Sequence, residues 1–342
     1  MRKSVWFFII LAAMAVVYGG MWFATAVFVR QQTELWLEGR RHQGLIVTYG
    51  APTLAGFPFK AEVRFPDFAV AAPELEGSPG WTWRTQALRI FARPFVFNRF
   101  VLDLGGSHRF SGIETRDLLL TAEEADAAFV LSGQGVESAG IQMVGATARF
   151  DQDAAPFSAL ANARADFTVT AAAIHINLAA DQATFPDVLP QPLTRTLQNL
   201  KLSLDITGPI ATGAPLPDVL EAWRAGGGTL EVRDLIVDWL PVTATGSGTI
   251  ALDRVLQPEG AFTATFHGFL EVIDMLVAGG RMQPREASIA RGALALLATT
   301  PAEGAPPELK LSITVQDRKA YAGPVTLMEM PAITWRKNVV VP

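Results

Sequence analysis

The sequence predicts a β-rich α+β protein, in which one N-terminal transmembrane helix precedes large twisted antiparallel sheet(s) with a few amphipathic helices. Three observations predict it. From Ser4 to Val29 the chain carries no charge, and about 26 residues of helix are enough to cross a bilayer core roughly 30 Å thick. Beyond that run, apolar residues recur at every second position in one segment after another. Gly and Pro punctuate those segments at the spacing of an antiparallel meander.

The apolar run is fenced by Arg2 and Lys3 before it and Arg30 after it, with Trp6, Trp22 and Phe23 near its ends, where interfacial aromatics sit. Ala24-Thr25-Ala26 also fits a small-x-small cleavage site, so a cleaved signal peptide is the competing reading. Length favours an uncleaved anchor, because a signal peptide's apolar region is about 7–15 residues. Lys and Arg lie on both sides, but long following domains translocate largely regardless of charge. The expectation is therefore an inner-membrane protein, single-pass through residues 4–29, with its bulk in the periplasm.

Composition excludes several classes. A net charge of −5 and a pI near 5.5 argue against nucleic acid, which selects concentrated Lys and Arg. There are no cysteines, so neither a disulfide framework nor a thiolate zinc site is possible. The hydrophobic content of 50% owes much to the anchor, and without it the chain is ordinarily globular.

In chain order, Gln31–Gln43 continues the helix, Gly44 caps it, and Arg40 and Arg41 suit the negative end of its dipole. Leu45–Tyr49 begins a strand, and Gly56-Phe57-Pro58-Phe59 is a turn. Phe59, Ala61, Val63 and Phe65 then alternate with Lys60, Glu62 and Arg64. Pro66 interrupts the pattern and Phe68 resumes it on a shifted register. Trp81, Trp83, Leu88 and Ile90 form the next strand, which ends at Pro94. Gly105-Gly106 closes a further hairpin, and strands follow at about 127–132, 141–150 and 165–178.

Pro186, Pro190 and Pro192 mark a boundary, so the expected organisation is an anchor at 1–30, an N-terminal β-rich lobe at 31–185 and a C-terminal β-rich lobe with helices at 186–342. A short helix is expected over 193–198. Leu200, Leu202, Leu204 and Ile206 alternate cleanly, as do Leu309, Leu311, Ile313 and Val315. Leu216, Val219, Leu220 and Trp223 fall on one helix face that ends at Gly226-Gly227-Gly228. Strands at 229–239, 242–253 and 261–267, helices at 269–277 and 285–299, and strands at 308–316 and 324–335 complete the chain.

Gly56-Phe57-Pro58-Phe59 with Trp81 and Trp83, Gly227-Gly228-Thr229-Leu230 running to Trp239, Gly246-Ser247-Gly248-Thr249-Ile250-Ala251-Leu252-Asp253, and Gly323-Pro324 together carry a resemblance. They resemble the bacterial envelope family known as domain-of-unknown-function family 2125. That family has a Gly soon after the acidic residue of its penultimate strand, where this chain has Asp317-Arg318-Lys319-Ala320. The resemblance implies an anchored, β-rich periplasmic protein and supplies no catalytic residues. A more distant similarity to AsmA-like envelope proteins implies lipid handling, by analogy of fold.

Catalytic and metal patterns are sparse. His42, His108, His175 and His267 are far apart, Asp151 and Asp153 lack the rest of a calcium loop, and Glu123, Glu124 and Asp126 read as a polar hairpin edge. No phosphate-cradling Gly string or nucleophile elbow occurs, and Gly246-Ser247-Gly248 reads as a bulge within a strand. No enzyme, cofactor or metal is therefore expected. The one candidate surface is apolar: Phe57, Phe59, Phe65, Phe68, Trp81 and Trp83, which would take a lipid acyl chain if they line a groove. The alternative function is an envelope scaffold that holds protein partners and takes no small molecule.

Overall fold

The computed structural model describes residues 2–74, 80–96, 98–113, 116–133, 135–150, 157–185, 193–210, 214–300, 307–322 and 325–335. Of these, 54% are in strands and 24% in helices, which is the expected β-rich α+β class with a long apolar N-terminal helix. The chain divides into two compact units at Asn162/Ala163. The proline-rich connection at 186–192 lies outside the described residues, as do Asp151, Asp153 and Gly323-Pro324.

The first unit begins with α1 (Arg2–His42), one continuous helix of 41 residues. It is the one described helix long and apolar enough to cross a membrane. Gly44 follows its end at φ 90°, and Gly44 N–H donates to the Arg41 carbonyl at 2.9 Å, so the expected C-cap is present. The apolar run does not behave uniformly along α1. Trp6 to Val17 are exposed, whereas Thr25, Ala26, Val29, Thr33 and Leu37 form a buried stripe at helical spacing. That stripe packs on β1 (Ile46–Thr48), β3 (Ala61–Ala72) and β4 (Trp81–Ala92). The resulting core joins Val29 and Leu37 of the helix to Val47, Val63, Phe65, Phe68, Val70, Leu88 and Ala92.

Five long lines of strand make the sheet of this unit. Next to β3 lies β4, and β2 (Thr53–Ala55) pairs with the other side of β3. The third line is β5 (Arg99–Asp103) with β6 (Gly106–Ile113), and the fourth is β7 (Arg116–Ala122) with β8 (Glu124–Ser132). β9 (Gly135–Phe150) is the fifth, and every pairing is antiparallel. Gly105-Gly106 therefore does not close a hairpin; the strand line continues through it. All five lines are irregular at the same level. The ladder skips Asp67 (φ 49°) and Gln86, breaks at Leu104-Gly105 and at Glu123, and meets Gly145 at φ 59°. Such irregularities bend strands, and aligned across the sheet they make a transverse crease. The change of alternation expected at Pro66 is seen in the burial of Phe65 and then Phe68, while β3 and β4 keep one pairing register across the skipped Asp67 and Gln86.

The second unit is a meander. After β10 (Ala159–Val169), which crosses the unit boundary, β11 (Ala173–Thr184), β12 (Thr196–Thr207), β13 (Thr229–Trp239), β14 (Val242–Leu252), β15 (Pro258–His267), β16 (Leu309–Gln316), β17 (Lys319–Ala322) and β18 (Val325–Glu329) pair in sequence order. The expected strand over 165–178 is two strands, because Thr170 turns the chain through a hydrogen bond to the Ala173 carbonyl. No helix forms over 193–198. Leu197 is instead buried as the second residue of β12, where pairing with β11 outweighs local helix propensity. Asp317 and Arg318 both adopt positive φ (51° and 60°) and make the β16–β17 turn without the family's glycine.

Three helices flank this sheet: α2 (Leu216–Ala225), α3 (Phe269–Ala278) and α4 (Pro284–Leu297). Trp223 of α2 lies so close over Gly228 that a Cβ there would sit 2.2 Å from its indole nitrogen. That indole donates to the Thr207 carbonyl at 2.7 Å. α3 packs on β14 and α4 on β16.

Candidate functional site

The six aromatic residues singled out in the sequence do not form one surface. Phe65 and Phe68 are fully buried beneath α1, with Tyr49 edge-on to Phe65 at 5.1 Å. Trp83 joins them, edge-on to Phe68, parallel to Phe110 at 6.2 Å, and donating to His108 Nδ1 at 3.3 Å. These three are core side chains, because α1 closes the face on which a groove would lie. Trp81 is 40% exposed at the start of β4. Phe57 and Phe59 are exposed on the turn before β3, and Phe57 packs edge-on to Trp22 of α1 at 5.4 Å.

A partly open apolar surface lies in the second unit. Alternation puts the even-numbered residues of β11 and β12 on one face, with the apolar residues of β13 to β16 in register beside them. One row across the sheet reads Ile176, Leu204, Val232, Gly248, Phe262, Ile313. The next reads Ile174, Ile206, Leu230, Ile250, Gly260, Val315. Of the large side chains in these rows Val232 alone is buried; the others are partly exposed. The β13–β14 ladder shifts register between Val232 and Leu235, opposite Gly246-Ser247-Gly248, so the expected bulge is present on that side, and against β15 both glycines have a packing role. A Cβ on either would come within 2.7 Å of the Phe262 ring, so the ring lies flat across β14. A flat ring lowers the middle of the face. The sequence signal for this surface was present as strand alternation, but alternation does not tell a covered face from an open one.

A second feature lies at the crease of the first unit. Arg64, Arg89, Asp103, Asp126 and Gln142 are successive register partners across five strand lines. With Thr85, Gln86, Ser107, Glu123 and Glu124, the first four of these partners border an open polar pocket of about 500 Å³. Glu123, Glu124 and Asp126 are therefore part of a charged pocket wall, not a plain hairpin edge. Arg89 donates to Asp103 Oδ1 at 3.0 Å and to the Gly105 carbonyl at 3.3 Å, tying the crease together. Burial pushes the Asp126 carboxyl above the usual carboxylate range, and Asp103 and Glu124 push it further. Burial also raises Glu62, but Lys60 at 2.8 Å, Arg64 and Arg89 outweigh it and hold Glu62 below its ordinary value.

The two shifts have opposite consequences for stability. A raised folded-state value means that ionised Asp126 opposes folding, and the penalty lifts as pH falls through that value. Asp126→Asn should thus stabilise the protein at pH 7 by about 0.5 kcal/mol or less, given solvent screening, with the gain shrinking as pH falls through the raised value. Glu62→Gln should destabilise at pH 7, and its deficit should shrink as acid protonates the native Glu62. Thermal melts of both variants at pH 7 and pH 4 check the pair of signs.

Elsewhere, His175 Nδ1 lies 2.6 Å from Asp205, which also pairs with Arg233 at 3.0 Å on the polar face of β11–β13. Among the described residues no group of three or more His, Asp or Glu is placed to hold a metal.

The family model described as an uncharacterized protein conserved in bacteria, DUF2125, matches residues 22–331. The chain belongs to this family. The match covers both units and starts within α1, so the buried stripe at Thr25–Leu37 is part of what the DUF2125 pattern spans. The Phe57-Pro58 turn, the Trp223-over-Gly228 contact and the Phe262-over-Gly248 contact all lie inside it. No curated protein and no solved structure matches the chain.

Proposed function

We propose that this DUF2125 protein is a single-pass protein of the inner membrane, anchored by α1 with its bulk in the periplasm, and that it binds or passes lipid along the open face of β11–β16. The observation that carries the lipid reading is the pair of half-exposed apolar rows through Leu204 and Ile206. Apolar area left in water forgoes about 25 cal/mol per Å², so an acyl chain laid across the rows recovers free energy that the fold alone leaves unrealised. The role is non-catalytic: the face is lined by hydrocarbon and carries no converging acid and base. Native mass spectrometry of the full chain purified in mild detergent tests this. Co-purifying lipid is expected, and a chain repeatedly recovered lipid-free would overturn it.

One observation favours the scaffold reading. Ile289, Leu296 and Leu297 of α4 are 73%, 88% and 61% exposed, an apolar side that no described residue covers. Crosslinking from position 289 or 296 in whole cells should then capture one reproducible protein partner. Scattered products would remove that reading.

A further inference from the structure

We infer that two loops of the first unit enter the bilayer beside α1, giving the protein a second membrane contact that holds the sheet at a fixed depth. The inference rests on the anchoring proposed above and adds a partner surface to it.

The argument starts from α1 as a ruler. No residue of its apolar stretch from Trp6 to Ala24 is buried, although Tyr18, Gly19, Met21 and Trp22 are partly covered, and beyond it Thr25, Ala26 and Val29 are buried by the sheet. About 19 helical residues measure roughly 28 Å, close to the hydrocarbon thickness of a bilayer. Tyr18 lies six residues, or about 9 Å, inside the end of that stretch. Yet the Tyr18 hydroxyl donates to the Pro58 carbonyl at 2.5 Å, and the Trp22 indole donates to the Lys60 carbonyl at 2.7 Å. Phe57 and Phe95 both contact the Tyr18 ring, with centroids 6.5 and 5.9 Å away. Both loops are therefore docked on a part of the helix that would lie within the lipid.

Their composition suits that depth. Phe57, Phe59 and Phe95 are 60%, 85% and 54% exposed, and Val96 is 37% exposed. Phe95 also borders an apolar notch of about 390 Å³ with Ile10, Ala13, Met14, Val17 and Tyr18. Irregular backbone at membrane depth is tolerated only where protein or water satisfies its polar groups, and α1 and local turns supply part of that. Here the Pro58 and Lys60 carbonyls accept from the helix, Lys60 N–H donates to the Gly56 carbonyl at 3.0 Å, and Val96 N–H donates to the Arg93 carbonyl at 3.1 Å. Pro58 and Pro94 have no N–H to satisfy. Beyond the tips come Arg93 and Arg99, whose long side chains can reach headgroups and water. Lys60 turns its ammonium away towards Glu62 and over the Phe91 ring.

The absence of cysteine permits a clean test. Phe59→Cys, Phe95→Cys, Val16→Cys on α1 and Thr263→Cys on the polar face of β15 are each labelled with a polarity-sensitive nitrobenzoxadiazole dye. The full chains are placed in phosphatidylcholine–phosphatidylglycerol vesicles. Labels at 59 and 95 should emit blue-shifted light and be quenched by shallow lipid-borne nitroxide several-fold more than the label at 263. Should iodide in the water quench 59 and 95 while position 16 is quenched only from the lipid, the loops stay outside and the inference fails with the anchor intact. Iodide quenching at position 16 as well would remove the anchor, and the inference with it. Far-UV circular dichroism of each labelled chain confirms that the strands persist.

Discussion

A chain that begins at residue 43 should aggregate, while one that begins at residue 24 should remain folded. The difference lies in which part of α1 belongs to the core. Residues 6–17 contact little of the protein and Tyr18 and Trp22 hold loop tips outside the core, whereas Thr25, Ala26, Val29, Thr33 and Leu37 are buried on the sheet. Removing that second half strips the cover from Val63, Phe65, Phe68, Val70 and Leu88. Each such side chain is worth about 1.5–3 kcal/mol when buried, so losing several at once matches a typical domain stability of about 5–15 kcal/mol. A milder version has the same sign: Leu37→Ala should cost about 2–5 kcal/mol. Denaturant titration of the chain from residue 24, with and without Leu37→Ala, measures it. A chain from residue 43 that stays monomeric with a cooperative transition would show that the sheet carries its own core.

The second large effect concerns the open face. Ile176→Gln, Leu204→Gln and Phe262→Gln together should reduce co-purifying lipid at least tenfold with little change in strand content. All three are partly exposed, so a polar replacement adds no deeply buried polar group. They sit in one row across β11, β12 and β15, so the triple change cuts the apolar track rather than one contact. Thr263→Gln on the opposite face serves as the control and should leave lipid recovery unchanged. Equal lipid in the triple variant would mean that the lipid is held elsewhere, and the tips at Phe57, Phe59 and Phe95 would be the first place to look.

Much of the fold was legible because it is written locally. The C-cap at Gly44, the α2 face through Leu216, Val219 and Trp223, and the alternation of β12 and β16 each follow from neighbours within one element. Reading failed where the local pattern was silent. Leu118-Leu119-Leu120 has no alternation, yet it forms β7 because β6 and β9 pair with it on both sides. β17 is four residues long, too short for a period to register. The charged crease draws on residues from 64 to 142, and no window along the chain brings Arg64, Arg89, Asp103 and Asp126 together.

By itself the sequence determined that an apolar helix leads a β-rich chain, where most strands run, and which side chains share a strand face. Those follow from helical rise, strand period and the conformational limits of Gly and Pro, which act within a few residues. Only the tertiary structure decided which faces are covered. It buried Phe65 and Phe68 under the second half of α1, left the rows through Leu204 and Ile206 open, and set Phe57 and Phe95 against Tyr18. Burial depends on what a distant part of the chain brings into contact, and a periodic pattern holds no information about that partner.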